Sequence, residues 1–132
     1  MAITTAMCTS FKQELFGGVH DLDTDVIKLA LIKASPAGTY GAATTNYSAG
    51  GQTLDGATIA TSGTTAYVDF TDEVFADVTT SADGCIIYNS SQGNKAICVI
   101  DFGGTVSATA GDLTIEFPAP GATAVIRIDT PA

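Results

Sequence analysis

Apolar and polar positions alternate with a two-residue period along most of this chain, and the alternation is most complete between Asp83 and Phe102. Two arms rich in Ile, Val and Cys flank a polar connector, Ser90–Asn94. Both faces of each arm are largely apolar, which is typical of a central hairpin covered on both sides. The connector contains Gly and Asn, which tolerate the positive φ angles of hairpin turns. We therefore predict a buried hairpin at the centre of the fold.

One short helix is predicted near the N-terminus. Ser10 followed by Gln13 has the form of a capping box, in which the two side chains cap backbone N–H groups of the first turn. Gly17-Gly18 is typical of a helix end. Three apolar side chains fall near one side of this helix: Phe11, Leu15 and Phe16.

The remaining apolar segments are short and are separated by turn residues, which is typical of strands. Asp25–Ala34 has a composition compatible with a helix, but its alternation and its β-branched residues favour a strand. Gln52–Ala60 and Thr65–Phe70 are predicted to pair as a second hairpin, and Ser35–Gly51 is predicted to be a long loop. Val74–Ala76 is predicted to be a short strand or a bulged continuation, and further strands are predicted at Thr105–Ala108, Asp112–Phe117 and Ala124–Asp129.

These segments amount to roughly seven to nine strands with turn signals about every eight to twelve residues. The pattern predicts an all-β fold, an antiparallel β-sandwich with one short N-terminal helix, spanning residues 1–132 as a single domain. Jelly-roll and immunoglobulin-like topologies are both compatible with it, and we take the jelly-roll-like one as the prediction. Residues 1–9 are apolar without periodicity, so they form either a flexible end or an N-terminal arm that adds to a neighbour's sheet.

Composition narrows the classes of partner. The chain has 5 Lys and Arg against 14 Asp and Glu, a net charge of −9. This balance argues against binding to nucleic acid or to an anionic membrane surface. No segment approaches the length of a membrane span, and the N-terminus does not have the pattern of a secretory signal.

Candidate catalytic groups are few. His20 is the only histidine, and acidic residues stand beside it, which allows two interpretations: a base paired with a carboxylate, or a histidine at a surface or in a turn. We predict the second. Asp21, Asp23 and Asp25 alternate as in a calcium loop, but Val26 stands where such a loop needs Gly and Ile32 where it needs Glu. The run is therefore predicted to be a turn.

Two other groups of residues contain side chains that could take part in catalysis or bind a metal ion. Asp69, Asp72 and Glu73 contain paired carboxylates, as glycosidases do, but without any Trp a solvated turn is the better interpretation. The three cysteines lack a CxxC or a Cys/His spacing, so we predict neither a zinc site nor a cofactor. They are predicted to be buried free thiols in a reducing compartment: Cys8, Cys85 and Cys98.

Five stretches, in this order, resemble a group of small virion proteins of tailed bacteriophages: SFKQELFGGVHDLDTDVIKLALIKAS, TTNYSAGGQTLDGATI, TAYVDFTDEVFADVT, GCIIYNSSQGNKAICVIDFGG and LTIEFPAPGATAVIRI. Members of the group read "FK-EL--G-H" near the start, "YK-AL" in the first strand and "IYN-S--NKA" in the central hairpin. The resemblance extends from Ser10 to Ile128, and its motifs are caps, strands and turns. It supplies no catalytic residue to carry over, and we predict no enzymatic activity.

The resemblance implies a capsid decoration, or cement, protein. Such proteins are small β-sandwiches or jelly rolls that bind the outside of the major capsid shell and stabilise adjacent capsomers. The implied partners are the major capsid protein and the chain itself as a homodimer or homotrimer, in a virion assembled in the host cytoplasm. Predicted partner contacts lie at the N-terminal end and in the long loop, where Tyr suits an interface core: Ile3, Met7, Tyr40 and Tyr47.

Two alternatives stay open. The same sequence suits a neck, tail or fibre component of the virion. A carbohydrate-binding module or small hydrolase is a further alternative, for which exposed aromatic side chains or a convergent polar pocket would be expected.

Overall fold

A computed structural model describes residues 6–32, 51–54, 58–70, 72–115 and 126–128 of the chain. The elements in these ranges are β1 (Ala6–Met7), α1 (Thr9–Phe16), β2 (Ile27–Ile32), β3 (Gln52–Thr53), β4 (Thr58–Ser62), β5 (Thr65–Asp69), β6 (Glu73–Asn89), the 3₁₀ turn Ser90–Gln92, β7 (Lys95–Ile115) and β8 (Ile126–Ile128).

The strands form two antiparallel sheets. One has the order β1-β7-β6-β2-β3 and the other the order β4-β5-β8. One hydrophobic cluster joins them, because it contains Ile27 and Leu29 of the first sheet together with Val68 and Ile126 of the second. This arrangement confirms the predicted all-β, sandwich-like fold with one short helix. The finer jelly-roll topology stays a prediction.

The central hairpin is confirmed. Residues 85–88 of β6 and 96–99 of β7 are all buried, so successive side chains on opposite faces are covered. The turn between them follows the predicted chemistry, since Gly93 and Asn94 take φ angles of 69° and 61°. Positive φ costs little at Gly and is tolerated at Asn.

The two strands of this hairpin are far longer than predicted. β6 has 17 residues and β7 has 21, and they absorb the short strands expected at Val74–Ala76 and Thr105–Ala108 and most of the one at Asp112–Phe117. Two irregularities in the pairing show that β7 holds β-bulges. Gly103 and Ala110 have φ angles of 77° and 49°, and the pairing register shifts beside both.

The predicted second hairpin is correct in one arm and wrong in the other. β4 and β5 pair through a tight Gly63-Thr64 turn, but Gln52–Ala60 is divided between the two sheets. Gln52–Thr53 pairs with β2, where Leu29 lies opposite Gln52. Gly51 makes this possible, since a Cβ there would lie 2.1 Å from the Leu29 carbonyl oxygen.

The helix ends as predicted but begins differently. It starts at Thr9 with Cys8 as its N-cap, so the capping box starting at Ser10 is wrong. At the other end Gly18 N–H donates to the Leu15 carbonyl and Val19 N–H to the Glu14 carbonyl, the pair of bonds of a Schellman motif. Phe11 is buried and Leu15 is half-buried, whereas Phe16 is 95% exposed and does not share their face.

The N-terminal segment joins the chain's own sheet. Ala6 and Met7 pair with Val99 and Cys98 of β7, and the Cys8 N–H donates to the Ile97 carbonyl at 2.8 Å. A separate arm can therefore include only residues before Ala6, which lie outside the described residues.

Candidate functional site

The side chain of His20 has no exposed surface, so the prediction of a surface histidine is wrong, although His20 does lie in the loop that leads from α1 into the turn at residues 21–25. Its Nε2 lies 2.8 Å from Glu14 Oε1, and its Nδ1 lies 2.9 Å from Asn89 Nδ2. The Phe11 ring packs against it with a centroid distance of 5.0 Å. His20 thus connects α1 to the end of β6 from inside the protein.

The hydrogen bonds of Asn89 determine the tautomer of His20. Asn89 Oδ1 accepts from the Ser91 N–H at 3.0 Å, which identifies the other side-chain atom as the NH₂ group. One of its protons goes to Asp25 Oδ2 at 2.8 Å, so the other faces His20 Nδ1. Nδ1 must therefore be an acceptor, and the proton of the neutral imidazole lies on Nε2 and is donated to Glu14.

Five side chains form a hydrogen-bonded group that we call the Asn89 network: Glu14, His20, Asp25, Asn89 and Gln92. Asp25 is the carboxylate that Asn89 binds. Asp25 Oδ2 accepts from Asn89 Nδ2, from the Asp21 N–H at 3.0 Å and from Gln92 Nε2 at 3.3 Å. These bonds, that from Asn89 first, lower the pKa of Asp25 below its usual value. The network attaches the loop after α1 to the turn of the central hairpin.

The acidic run beside His20 forms the predicted turn. Asp21 Oδ1 accepts from the N–H groups of Asp23 and Thr24, at 3.1 Å and 3.3 Å. This is the pattern of an Asx-turn, in which the carboxylate satisfies its own backbone. Within the described ranges, no group of three or more His, Cys, Asp or Glu residues is arranged to hold a metal ion.

All three cysteines are buried free thiols, as predicted. Burial raises the pKa of Cys8 to about 11 and that of Cys85 to about 12, and it raises the pKa of Cys98 well above its usual value. The thiolate is the nucleophilic form, so these groups are inert at neutral pH.

Asp69 differs from the predicted solvated turn. Its residue is half-buried at the end of β5, and its Oδ1 is buried without a hydrogen-bond partner. Burial, and then the nearby charge of Asp72, raise the pKa of Asp69, while the Phe70 N–H acts in the opposite sense. Asp72 itself is exposed, and the side chain of Glu73 lies outside the described part of the chain.

An apolar groove of about 150 Å³ lies between α1 and the three-stranded sheet. Its size suits one apolar side chain or a small ring. Apart from Tyr67 and Arg127 its lining is aliphatic or aromatic hydrocarbon: Phe11, Leu15, Leu22, Ile59, Ala66, Val68 and Ile126.

Among the described residues, the longest run of exposed positions lies in β7 of the β6–β7 ribbon. Strand β2 pairs with residues 84–89 of β6 and β1 with residues 98–99 of β7, and beyond these β6 and β7 pair with each other. Residues 103–107 of β7 are five successive exposed residues, whereas Ala82 of β6, which pairs with Val106, is buried. The far end of the ribbon is buried again, because Phe75, Leu113 and Ile115 belong to the hydrophobic cluster.

The predicted partner contacts are mostly beyond what the structure describes. Ile3, Tyr40 and Tyr47, together with the predicted loop up to Gly50, lie outside the described residues. Met7 is half-buried and packs against the core, so much of its side chain serves the fold.

Two comparisons with sequences and one with structures add no relative: no family model, curated protein or solved structure matches the chain. In the described part of the chain, no helix has the length and apolar character needed to cross a membrane.

Proposed function

We propose that this protein is a structural component of a bacteriophage virion, a capsid decoration protein that binds the outer surface of the major capsid shell and stabilises adjacent capsomers. The sequence resemblance supplies the setting. The observation that carries the proposal is the β6–β7 ribbon, which holds the exposed run 103–107 of β7 and whose residues Ala82 and Phe75 are both buried.

A protein that clamps two subunits needs a rigid element that reaches beyond its own core. The ribbon meets this requirement, because the residue steps from Ala82 to Phe75 span roughly 23 Å at the rise of an extended strand. Ala82 and Phe75 are both buried, so the span is supported at each end. An isolated two-stranded ribbon would be only marginally stable in water, and the anchors remove that weakness.

The polar groups that sequence reasoning singled out support the same function. His20 and Asp25 are engaged in hydrogen bonds that attach elements to one another, and the three thiols are buried. These groups therefore serve the rigidity of the scaffold, on which a binding surface can be held in place.

Reconstitution tests the proposal. Shells assembled from the major capsid protein alone are mixed with the purified protein, sedimented, and imaged by electron microscopy. We expect a copy number in simple proportion to the shell protein and density at one class of symmetry axis, occupied by a homodimer or homotrimer. Failure to bind would refute the decoration role, and a few copies at a single vertex would indicate a neck or tail component.

A further inference from the structure

The two most exposed large apolar side chains of the described residues both stand at the apolar groove between α1 and the three-stranded sheet. Phe16, the last residue of α1, is 95% exposed, and Ile59 of β4 is 57% exposed. Ile59 lines the groove, and so does Leu15, the residue before Phe16. Scattered apolar side chains at a surface need no explanation, but two of them beside one apolar groove form a contiguous surface of the kind that binds other proteins.

The groove has the size and the lining for a phenyl ring. Its volume is about 150 Å³, and an apolar cavity of about this size binds benzene. Its walls are largely hydrocarbon, from α1 on one side and from the three-stranded sheet on the other. Ile59 and Ala66, which line it, are both exposed, so a ring can enter it from outside the molecule.

Phe16 does not fill the groove of its own chain, because its ring is in solvent and stands about 100° around the helix from Leu15. Ring and groove therefore lie side by side, with α1 as their common element. A two-fold axis beside the C-terminal end of α1 brings the Phe16 ring of each of two copies to the groove of the other. Such a contact is reciprocal, and it closes at two copies.

The area that this pairing buries is that of a weak dimer. An inserted Phe ring buries roughly 150–250 Å² and covers a similar area of groove wall, so two reciprocal insertions bury roughly 600–1,000 Å² in total. The exposed part of Ile59 and the neighbouring turn of α1 bring the sum towards about 1,200 Å², the lower limit for stable interfaces. We therefore expect a dissociation constant of roughly 10 μM.

Charge opposes the pairing at long range but is not part of the contact. Each copy has a net charge of −9, so two copies repel each other. Salt screens this repulsion, with a Debye length of about 8 Å at physiological ionic strength. The contact between the ring and the hydrocarbon walls does not depend on ion pairs. Association should therefore strengthen as NaCl is added, the opposite of an interface that is held by charges.

We infer that the groove between α1 and the three-stranded sheet is a self-association site, in which Phe16 of each copy inserts its ring into the groove of the other in a two-fold symmetric dimer. The inference goes beyond the proposed function, because it concerns the isolated protein and requires no shell.

Sedimentation of the unaltered protein and two variants provides the first test. Phe16→Ser removes the ring, and Val106→Ser, the control, removes an exposed apolar side chain that does not line the groove. Both positions are exposed, and urea unfolding establishes that the variants are folded. Each ring is expected to contribute roughly thirtyfold, and the dimer holds two, so Phe16→Ser should weaken association roughly a thousandfold and Val106→Ser hardly at all. A monomeric unaltered protein at several hundred micromolar, equal effects of the two variants, or species larger than a dimer would overturn the inference.

Mixing two defective variants tests the reciprocal contact. Ala66→Phe places a ring in the groove at an exposed strand position, where Phe is well tolerated. Alone, Ala66→Phe and Phe16→Ser should each be monomeric. Together they retain one ring and one open groove, so they should bind each other roughly thirtyfold more weakly than two unaltered copies do.

This mixture is measured by NMR with ¹⁵N-labelled Phe16→Ser and unlabelled Ala66→Phe. The amides of the labelled groove should shift, at Ala66, Val68 and Ile126. The unlabelled double variant, with both substitutions, should cause no shift. Equal shifts with the double variant, or no shift with Ala66→Phe, would overturn the insertion of Phe16.

Reconstituted shells separate this inference from the proposed function. If Phe16→Ser abolishes a dimer of the unaltered protein and shells do not bind that protein, the decoration role fails and the self-association site stands. If shells bind the unaltered protein but it stays monomeric in solution at every concentration, the self-association site fails and the decoration role stands.

Discussion

Replacing Asn89 by Ala removes the residue on which the Asn89 network depends. Three hydrogen bonds disappear: those to Asp25 Oδ2, to His20 Nδ1 and from the Ser91 N–H. A bond to a charged group contributes about 1.5–3 kcal/mol, and a buried acceptor left without a donor costs about 1–3 kcal/mol. Water can reach half-buried Asp25, so we expect the lower part of the summed range, a loss of about 3–4 kcal/mol from the free energy of unfolding.

The matched control is Gln92→Ala. Gln92 donates to the same Asp25 oxygen at the longer distance of 3.3 Å and leaves no buried group unsatisfied. Its loss should cost under about 1 kcal/mol. Urea unfolding followed by far-ultraviolet circular dichroism measures both, since the chain has no Trp to report by fluorescence.

Asn89→Asp keeps the shape of the side chain but replaces its NH₂ donor by an acceptor oxygen. The new carboxylate would face Asp25 Oδ2 and His20 Nδ1, at positions now occupied by an NH₂ group 2.8 Å and 2.9 Å away. The two carboxylates would repel each other and His20 Nδ1 would lose its donor, so this variant should be less stable than Asn89→Ala. Equal, small losses for Asn89→Ala and Gln92→Ala, or an NMR spectrum placing the His20 proton on Nδ1, would refute the reasoning.

Four further predictions concern the backbone and pH. Gly51→Ala should lower the free energy of unfolding by more than about 2 kcal/mol, and hydrogen exchange should show that β3 no longer pairs with β2. Gly63 also has a positive φ but lies in open space, so Gly63→Ala should lower the same quantity by only about 1 kcal/mol in urea unfolding. Ala110→Gly should raise the unfolding free energy by up to about 1 kcal/mol by relieving its φ of 49°, and a loss in urea unfolding would contradict this. Because the pKa of Asp25 is lowered in the folded state, ionised Asp25 stabilises the fold above its unfolded pKa of about 3.9, and this stabilisation is lost as the pH falls further. The free energy of unfolding, measured against pH, should therefore decline in acid for the unaltered protein, and Asp25→Asn should lack that decline. Since the pKa of Cys8 is raised to about 11, stability should also decline above about pH 9, less steeply in Cys8→Ala.

The central hairpin could be predicted because its information is local. Two apolar arms and a connector with Gly93 and Asn94 specify pairing within about twenty residues of sequence. The length of the ribbon could not be predicted in the same way. Gly103-Gly104 and Ala110-Gly111 have the composition of turns, and a bulge inside a strand requires the same positive φ. Only the partner strand decides between the two.

The Asn89 network could not be predicted from the sequence for a different reason. His20 and Asn89 are 69 positions apart, and no periodic pattern relates them. Asn89 stood among apolar residues at the end of a buried arm, where a polar side chain requires partners. That signal predicts a buried hydrogen bond at Asn89, but it does not name His20 or Asp25.

Because Cys8, Cys85 and Cys98 are buried, the rate at which their thiols react can report local opening of the protein. Each sulfhydryl is shielded on a different segment, the start of the helix and the two arms of the central hairpin. A thiol-selective reagent can modify them only when those segments separate, so the labelling rate, resolved by peptide mass spectrometry, reports how often each one opens. No engineered probe is needed for this measurement.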